Sequence, residues 1–176
     1  ALTYGGLRGA VGIAFTLIAT IGGINALNMI DGIDGLSGSI ALTSLLLIGV
    51  TAYLAEDHHN LILICALAGG VIGFLYYILR HFYQQYARVF LGDNGSMLLG
   101  LMFAWLLVDL SQNPNPAITP VTAIWLFSVP LMDMFGVMLR RMSAGQSPFA
   151  ADRQHLHHLL MRSGLRVTEI VFTMVF

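Results

Sequence analysis

The stretch Asn25-Ala-Leu-Asn28-Met-Ile-Asp31-Gly-Ile-Asp34-Gly-Leu-Ser-Gly38 closes one uncharged run, Gly9–Ile30, and opens another, residues 36–55. Each run is long enough to cross a bilayer as a helix, which takes about 20 apolar residues. The seam between them holds aspartates, asparagines and glycines that an apolar chain does not carry without cost. Polar groups in or near hydrocarbon are expensive and tend to mark function. Carboxylates at the mouth of a membrane bundle point to a metal, to a phosphate held through a metal, or to a proton path.

Reading outward, the rest of the chain has the same character. It is 57% hydrophobic and 10% charged, with a mean hydropathy of +0.79. Those values exclude an ordinary soluble domain. The expectation is an all-α, polytopic integral membrane helical bundle, forming a single transmembrane domain over residues 1–176. Residues 9–30, 36–55, 61–79 and 117–139 are each long enough to span, the last despite Asp133. Residues 95–108 would cross only with help from their flanks or with local thinning of the bilayer. Residues 169–176 look like the start of another span. That predicts five full spans and the beginning of a sixth, in a fragment of a longer protein whose N-terminal spans and C-terminus lie outside this chain. Cys65 reads as a small buried apolar residue. Gly69 and Gly73 read as a close helix-packing pair.

Arginine sets the expected orientation, since the chain has no lysine. Arg80, Arg88, Arg140, Arg141, Arg153, Arg162 and Arg166 fall in or beside alternate connections, and only Arg8 falls on the other side. By the positive-inside bias, that set of connections faces the cytoplasm. The same side carries the opening motif.

Three constellations carry chemistry. In the first, Asn25, Asn28 and Asp31 recur every three positions, about 300° of helical turn, so they share a slowly drifting face. Gly32 and Gly35 then loosen the backbone so that Asp34 reaches the same point. The second is Phe90-Leu-Gly-Asp93-Asn-Gly-Ser96. There Asp93 either caps the helix that follows or ligates a magnesium ion that holds a phosphate. The third is Asp152-Arg153-Gln-His155-Leu-His157-His158. His155 and His158 are three apart and would share a helix face. A clamp on phosphates is better supported than a zinc site, which would need further ligands at metal-site spacing. Asp133 is the one acid inside a span. Two readings stay open for it: a functional carboxylate, or a partner for Arg140.

These motifs resemble the polyprenyl-phosphate N-acetylhexosamine-1-phosphate transferases. The resemblance rests on Asn25-x-x-Asn28-x-x-Asp31-Gly-x-Asp34-Gly-Leu36, on Phe90-Leu-Gly-Asp93-x-Gly-Ser96 and on His155-Leu-His157-His158, in that order. The run from Pro148 to His158 looks like the branch that uses UDP-N-acetylglucosamine. The phospho-MurNAc-pentapeptide branch, kept as the alternative, has three adjacent histidines there. The resemblance implies transfer of a sugar-1-phosphate from a UDP-N-acetylhexosamine to undecaprenyl phosphate at the cytoplasmic face of a bacterial inner membrane. Mg2+, or Mn2+ in its place, would be the cofactor. It implies a role for Asp93 as catalytic residue and metal ligand, and roles for Asp31 and Asp34 in the catalytic cluster. Asn25, Asn28, Arg153, His155, His157 and His158 would bind substrate. The lipid bilayer is a partner, a homodimer is open, and nucleic acid is not expected. The family's neighbouring pair of aspartates is absent from this sequence, so the chain alone is expected to be inactive. An ion-coupled transporter is the competing class, and it would place its polar groups near the bilayer midplane.

Overall fold

A computed structural model describes residues 9–79, 89–113, 115–147 and 155–175. Within them the chain forms helices α1 (Gly9–Ile30), α2 (Leu36–Leu54), α3 (His58–Ile78), α4 (Gly92–Gln112), α5 (Pro120–Leu126), α6 (Ser128–Ser143), α7 (Leu156–Arg162) and α8 (Val167–Val175). The described residues contain no strand. Arg8, Arg80, Arg88 and Arg153 lie outside the described residues.

Helices α2, α3 and α4 are each long and apolar enough to cross a membrane. Helix α1 adds a further apolar stretch, Thr16–Ile30. Large apolar side chains stand exposed along these helices, among them Leu17, Ile18, Ile62, Ile72 and Tyr76. Such surface is a liability in water and ordinary in lipid. The chain is an all-helical membrane protein.

Two predicted spans differ from the observed elements. The short 95–108 run is the middle of a 21-residue helix. The charged residues that bounded it are its two ends, and both have partners. Asp93 accepts from Asn28, and Asp109 accepts from Asn60 and Asn113. The single span expected at 117–139 is instead two helices, α5 and α6, bent by 79°. Pro130 explains the break. It has no N–H to offer the Leu126 carbonyl, and its ring would press on that carbonyl, so it is tolerated only in the first turn of a new helix. Counted as one broken span, the pair brings the helices that meet the length and hydropathy requirement among the described residues to four.

Helix α1 packs most extensively on α4 and also on α6, while α2 packs on α3 and α8. The α1–α4 contact depends on Gly100, where an added Cβ would lie 2.6 Å from Ile24 Cα. Gly69 and Gly73, the expected packing pair, have nothing within 4 Å of such an atom among the described residues. Helix α3 buries only the stripe Asn60, Ile64, Ala68, Val71, Leu75 and Ile78, and both glycines lie off it. Cys65 is also off that stripe and is exposed, not buried. The core between the helices is built from Leu27, Ile30, Leu36, Leu45, Ile48, Phe103 and Leu106, each less than 2% exposed.

At one end of the bundle, Asn60 is buried and donates from Nδ2 to Asp57 Oδ2 at 2.7 Å and to Asp109 Oδ2 at 2.8 Å. This bridge ties the start of α3 to the end of α4. The opposite end, where α1 stops and α4 starts, holds the sequence motifs.

Candidate functional site

Helix α1 ends at Ile30 and the chain turns through residues 31–35 into α2. Gly35 takes φ 81°, a left-handed conformation that glycine adopts without steric cost. The turn leaves Asp31 half-buried, facing the first turn of α4. Ser37 Oγ donates to Asp31 Oδ1 at 2.5 Å, and the Gly92 N–H also donates to this carboxylate. Gly92, at φ 64°, is the first residue of α4. From α1, Asn28 Nδ2 donates to Asp93 Oδ1 at 3.1 Å and to Ser96 Oγ at 2.9 Å. The first two motifs are thereby joined into one hydrogen-bonded wall.

Asn28, Asp31, Asp34 and Asp93 line an open cavity of about 410 Å3, with Gly32, Ile33, Ile78 and Phe90 among its other walls. Burial pushes the Asp31 carboxyl above its ordinary range. Its Ser37 and Gly92 hydrogen bonds oppose that shift, and the neighbouring Asp93 charge adds to it. Two carboxylates held this close repel each other, and a cation between them would relieve the repulsion.

The histidine run meets this wall from behind. A Cβ added at Gly32 would collide with His157 Nε2 and lie 2.7 Å from Cε1. The glycine therefore makes room for the imidazole. The His157 ring is 1% exposed, and neither of its nitrogens has a hydrogen-bond partner among the described residues. Burial, seconded by His158, lowers its pKa to about 4. Its ring lies nearly parallel to that of His155, with centroids 5.7 Å apart, and 4.3 Å from that of His158. His155 is not in a helix with His158, contrary to expectation. It is the residue preceding α7, in extended conformation, so the rings that meet are 155 with 157 and 157 with 158. Asp133 accepts from His155 Nδ1 at 2.8 Å and from the Leu156 N–H at 2.7 Å.

The profile of glycosyl transferase family 4 matches residues 3–111, well over half of the chain. The chain belongs to glycosyl transferase family 4. Among curated relatives, the undecaprenyl-phosphate alpha-N-acetylglucosaminyl 1-phosphate transferase of Escherichia coli strain K12 is 40% identical over 156 residues. That alignment covers 89% of this chain and 42% of the relative. The Haemophilus influenzae protein of the same name is 40% identical over 157 residues, covering 89% of this chain and 44% of its own length. The Salmonella typhi protein is 52% identical over 77 residues, 44% of this chain and 21% of its own length. The chain thus spans less than half the length of the relatives it matches.

Within this family member, the expected residues sort clearly. Asn28, Asp31, Asp34 and Asp93 share one cavity, and His157 packs behind it. Asn25 does not join them: its Nδ2 turns back to donate to Ile21 O at 2.8 Å. Arg153 lies outside the described residues. Asp93 is not the cap of α4, since Leu91 holds that position and the Asp93 carboxylate is engaged with Asn28. Sequence gives Ser37 no role, Ser96 only a place in a motif and Gly32 only a backbone role, whereas here the two serines are hydrogen-bond partners and Gly32 leaves space for an imidazole. Asp133, left open between two readings, pairs with His155.

The donor set suits a hard divalent cation. Asp31 and Asp93 offer carboxylate oxygens to one open cavity and repel one another without a counter-ion. Among the described residues no three carboxylate, thiolate or imidazole groups converge into a full protein cage. A hard divalent cation held by one or two carboxylates leaves its remaining positions to water and substrate phosphates.

Proposed function

We propose that the intact protein transfers N-acetylhexosamine-1-phosphate, most favourably N-acetylglucosamine-1-phosphate, from a UDP-sugar to undecaprenyl phosphate. The observation that carries this reading is the single cavity lined by Asn28, Asp31, Asp34 and Asp93 at one end of an apolar bundle. The names of the relatives supply the acceptor lipid and the sugar. An oxygen of the lipid phosphate attacks the sugar-bound phosphorus of the UDP-sugar. The bond to the bridging oxygen breaks, and UMP leaves with that oxygen. The nucleophile belongs to the substrate, so no protein nucleophile is required.

The chain's task is to hold two anions together. Asp31 and Asp93 would hold Mg2+, which supplies charge neutralisation on the phosphates when bound. Asn28 fixes the Asp93 carboxylate, and Ser37 with the Gly92 N–H fixes Asp31. Asp34 lines the same cavity and completes its acidic wall. His157 packs against Gly32 of the cavity wall, beside His155 and His158, and this sequence run, with Arg153, is assigned to the pyrophosphate or sugar. The arginine distribution supports a cytoplasmic location for this end in a bacterial inner membrane, where a soluble nucleotide sugar has access. A transporter would need its polar groups near the bilayer midplane, whereas these sit at helix termini.

The test uses the intact protein in proteoliposomes supplied with undecaprenyl phosphate and a panel of UDP-sugars. Release of UMP that requires both substrates, fastest with UDP-N-acetylglucosamine, is expected. Ion flux without UMP release would overturn the reading in favour of a transporter.

A further inference from the structure

We infer that Asp133 is a positioning residue for the transfer reaction, setting the proton location and orientation of His155 and, through it, the placement of the histidine cluster on the carboxylate cavity. The inference rests on the transfer reading above for its kinetic part only.

Asp133 is 7% exposed and comes from α6, which packs on α1, the helix whose end carries Asn28. Both carboxylate oxygens are used. Oδ2 accepts from His155 Nδ1, and Oδ1 accepts from the Leu156 N–H. The second bond is a helix cap supplied from another element. His155 precedes α7 and makes no side-chain cap of its own, so Asp133 takes that part. One acid thus fixes where α7 begins and how the ring before it is turned.

The first bond fixes a proton. A carboxylate only accepts, so Nδ1 of His155 carries the hydrogen, and in the neutral ring Nε2 is left as the acceptor. The orientation then passes along the cluster. His155 lies nearly parallel to His157, and His157 fills the space above Gly32, next to Asp31. A change at Asp133 reaches the cavity through two imidazoles and a turn, with no contact of its own.

Such groups, held behind a reacting wall, act on the rate more than on ground-state binding. The experiment compares D133N and D133E with wild type in the intact protein, with UMP release read under saturating Mg2+. Selective 15N-histidine labelling reads the tautomer of His155, assigned by its loss in H155Q. In wild type the Nδ1-protonated form is expected. D133N keeps an oxygen for the Leu156 N–H but presents an amide donor to the ring. It is expected to move the proton to Nε2 and to lower kcat about tenfold or more, with KM for the UDP-sugar changed less than about threefold. D133E, which restores a carboxylate, is expected to recover the wild-type tautomer and part of kcat.

An unchanged tautomer in D133N, or a shifted tautomer with wild-type kcat, overturns the inference. So does a D133N protein that simply fails to fold while D133E is also inactive, since that assigns Asp133 a structural anchor alone. A wild-type protein that releases no UMP overturns the transfer reading instead, and the tautomer measurement then decides the Asp133–His155 pairing by itself.

Discussion

At His157 an imidazole is buried with both nitrogens unpartnered among the described residues, and its protonation is held down to about 4. An unfolded histidine takes up its proton near 6.5. Between those two values the unfolded state binds more protons than the native state, so stability rises with pH across that window. The contribution is complete above about 6.5 and is lost as pH falls through about 4. H157N, which cannot titrate, is therefore expected to flatten the acid limb. The difference in Tm between pH 7 and pH 4.5, measured in detergent on the intact protein, should be smaller than in wild type. The residues of the cavity were legible in sequence because carboxylates and amides stand out in an apolar chain: Asn28, Asp31, Asp34 and Asp93 were found that way. Ser37 and Gly32 were not. A serine in an apolar helix reads as filler, and a glycine beside an aspartate reads as a turn. Only the third dimension brings an imidazole over Gly32. Asn25 stands apart from the cavity wall, because its amide donates to the Ile21 carbonyl one turn back.

At the scale of elements, the close approach of α1 and α4 holds Asn28 against Asp93. That approach passes through Gly100, where even a methyl group would meet Ile24 Cα. The neighbour is backbone and cannot rotate away, so G100A is expected to destabilise the intact protein by about 1–3 kcal/mol and to weaken activity with it. The contrasting variant is G69A. Among the described residues no atom lies near the added methyl, and alanine is the better helix former, so its Tm should equal or slightly exceed that of wild type. Thermal unfolding of both in one detergent checks the pair. Small-residue spacing alone pointed to Gly69 and Gly73, because the pattern says a helix can approach there and not that one does. The break between α5 and α6 escaped the sequence reading for a related reason. An apolar run of the right length outweighed Pro130, although that residue cannot continue a helix from Leu126.

Across the described residues, two hydrogen-bonded polar groups stand at opposite ends of α4. One end carries Asp57, Asn60 and Asp109 in a closed hydrogen-bonded bridge. The other carries the open, acid-lined cavity with the histidines behind it. The first end uses its carboxylates on its own asparagine, while the second leaves space in front of them. If the second end faces the cytoplasm, thiols introduced at the two ends in a C65A background react from opposite sides. N113C is expected to label with a membrane-impermeant maleimide in intact cells, and S143C only after permeabilisation. The reverse pattern would contradict the orientation. The all-helical membrane class was readable from hydropathy alone, because lipid exposure makes whole helix faces apolar.

The most direct test of the central claim is a Mg2+ titration of UMP release by the intact protein, comparing wild type with D93N. On the proposed reading, the Asp93 carboxylate opposite Asp31 holds the cation that neutralises the phosphates. D93N should therefore lose at least about a hundredfold in kcat, and the residual activity should need more Mg2+ for half-saturation. Wild-type turnover in D93N, with an unchanged Mg2+ requirement, would contradict the account.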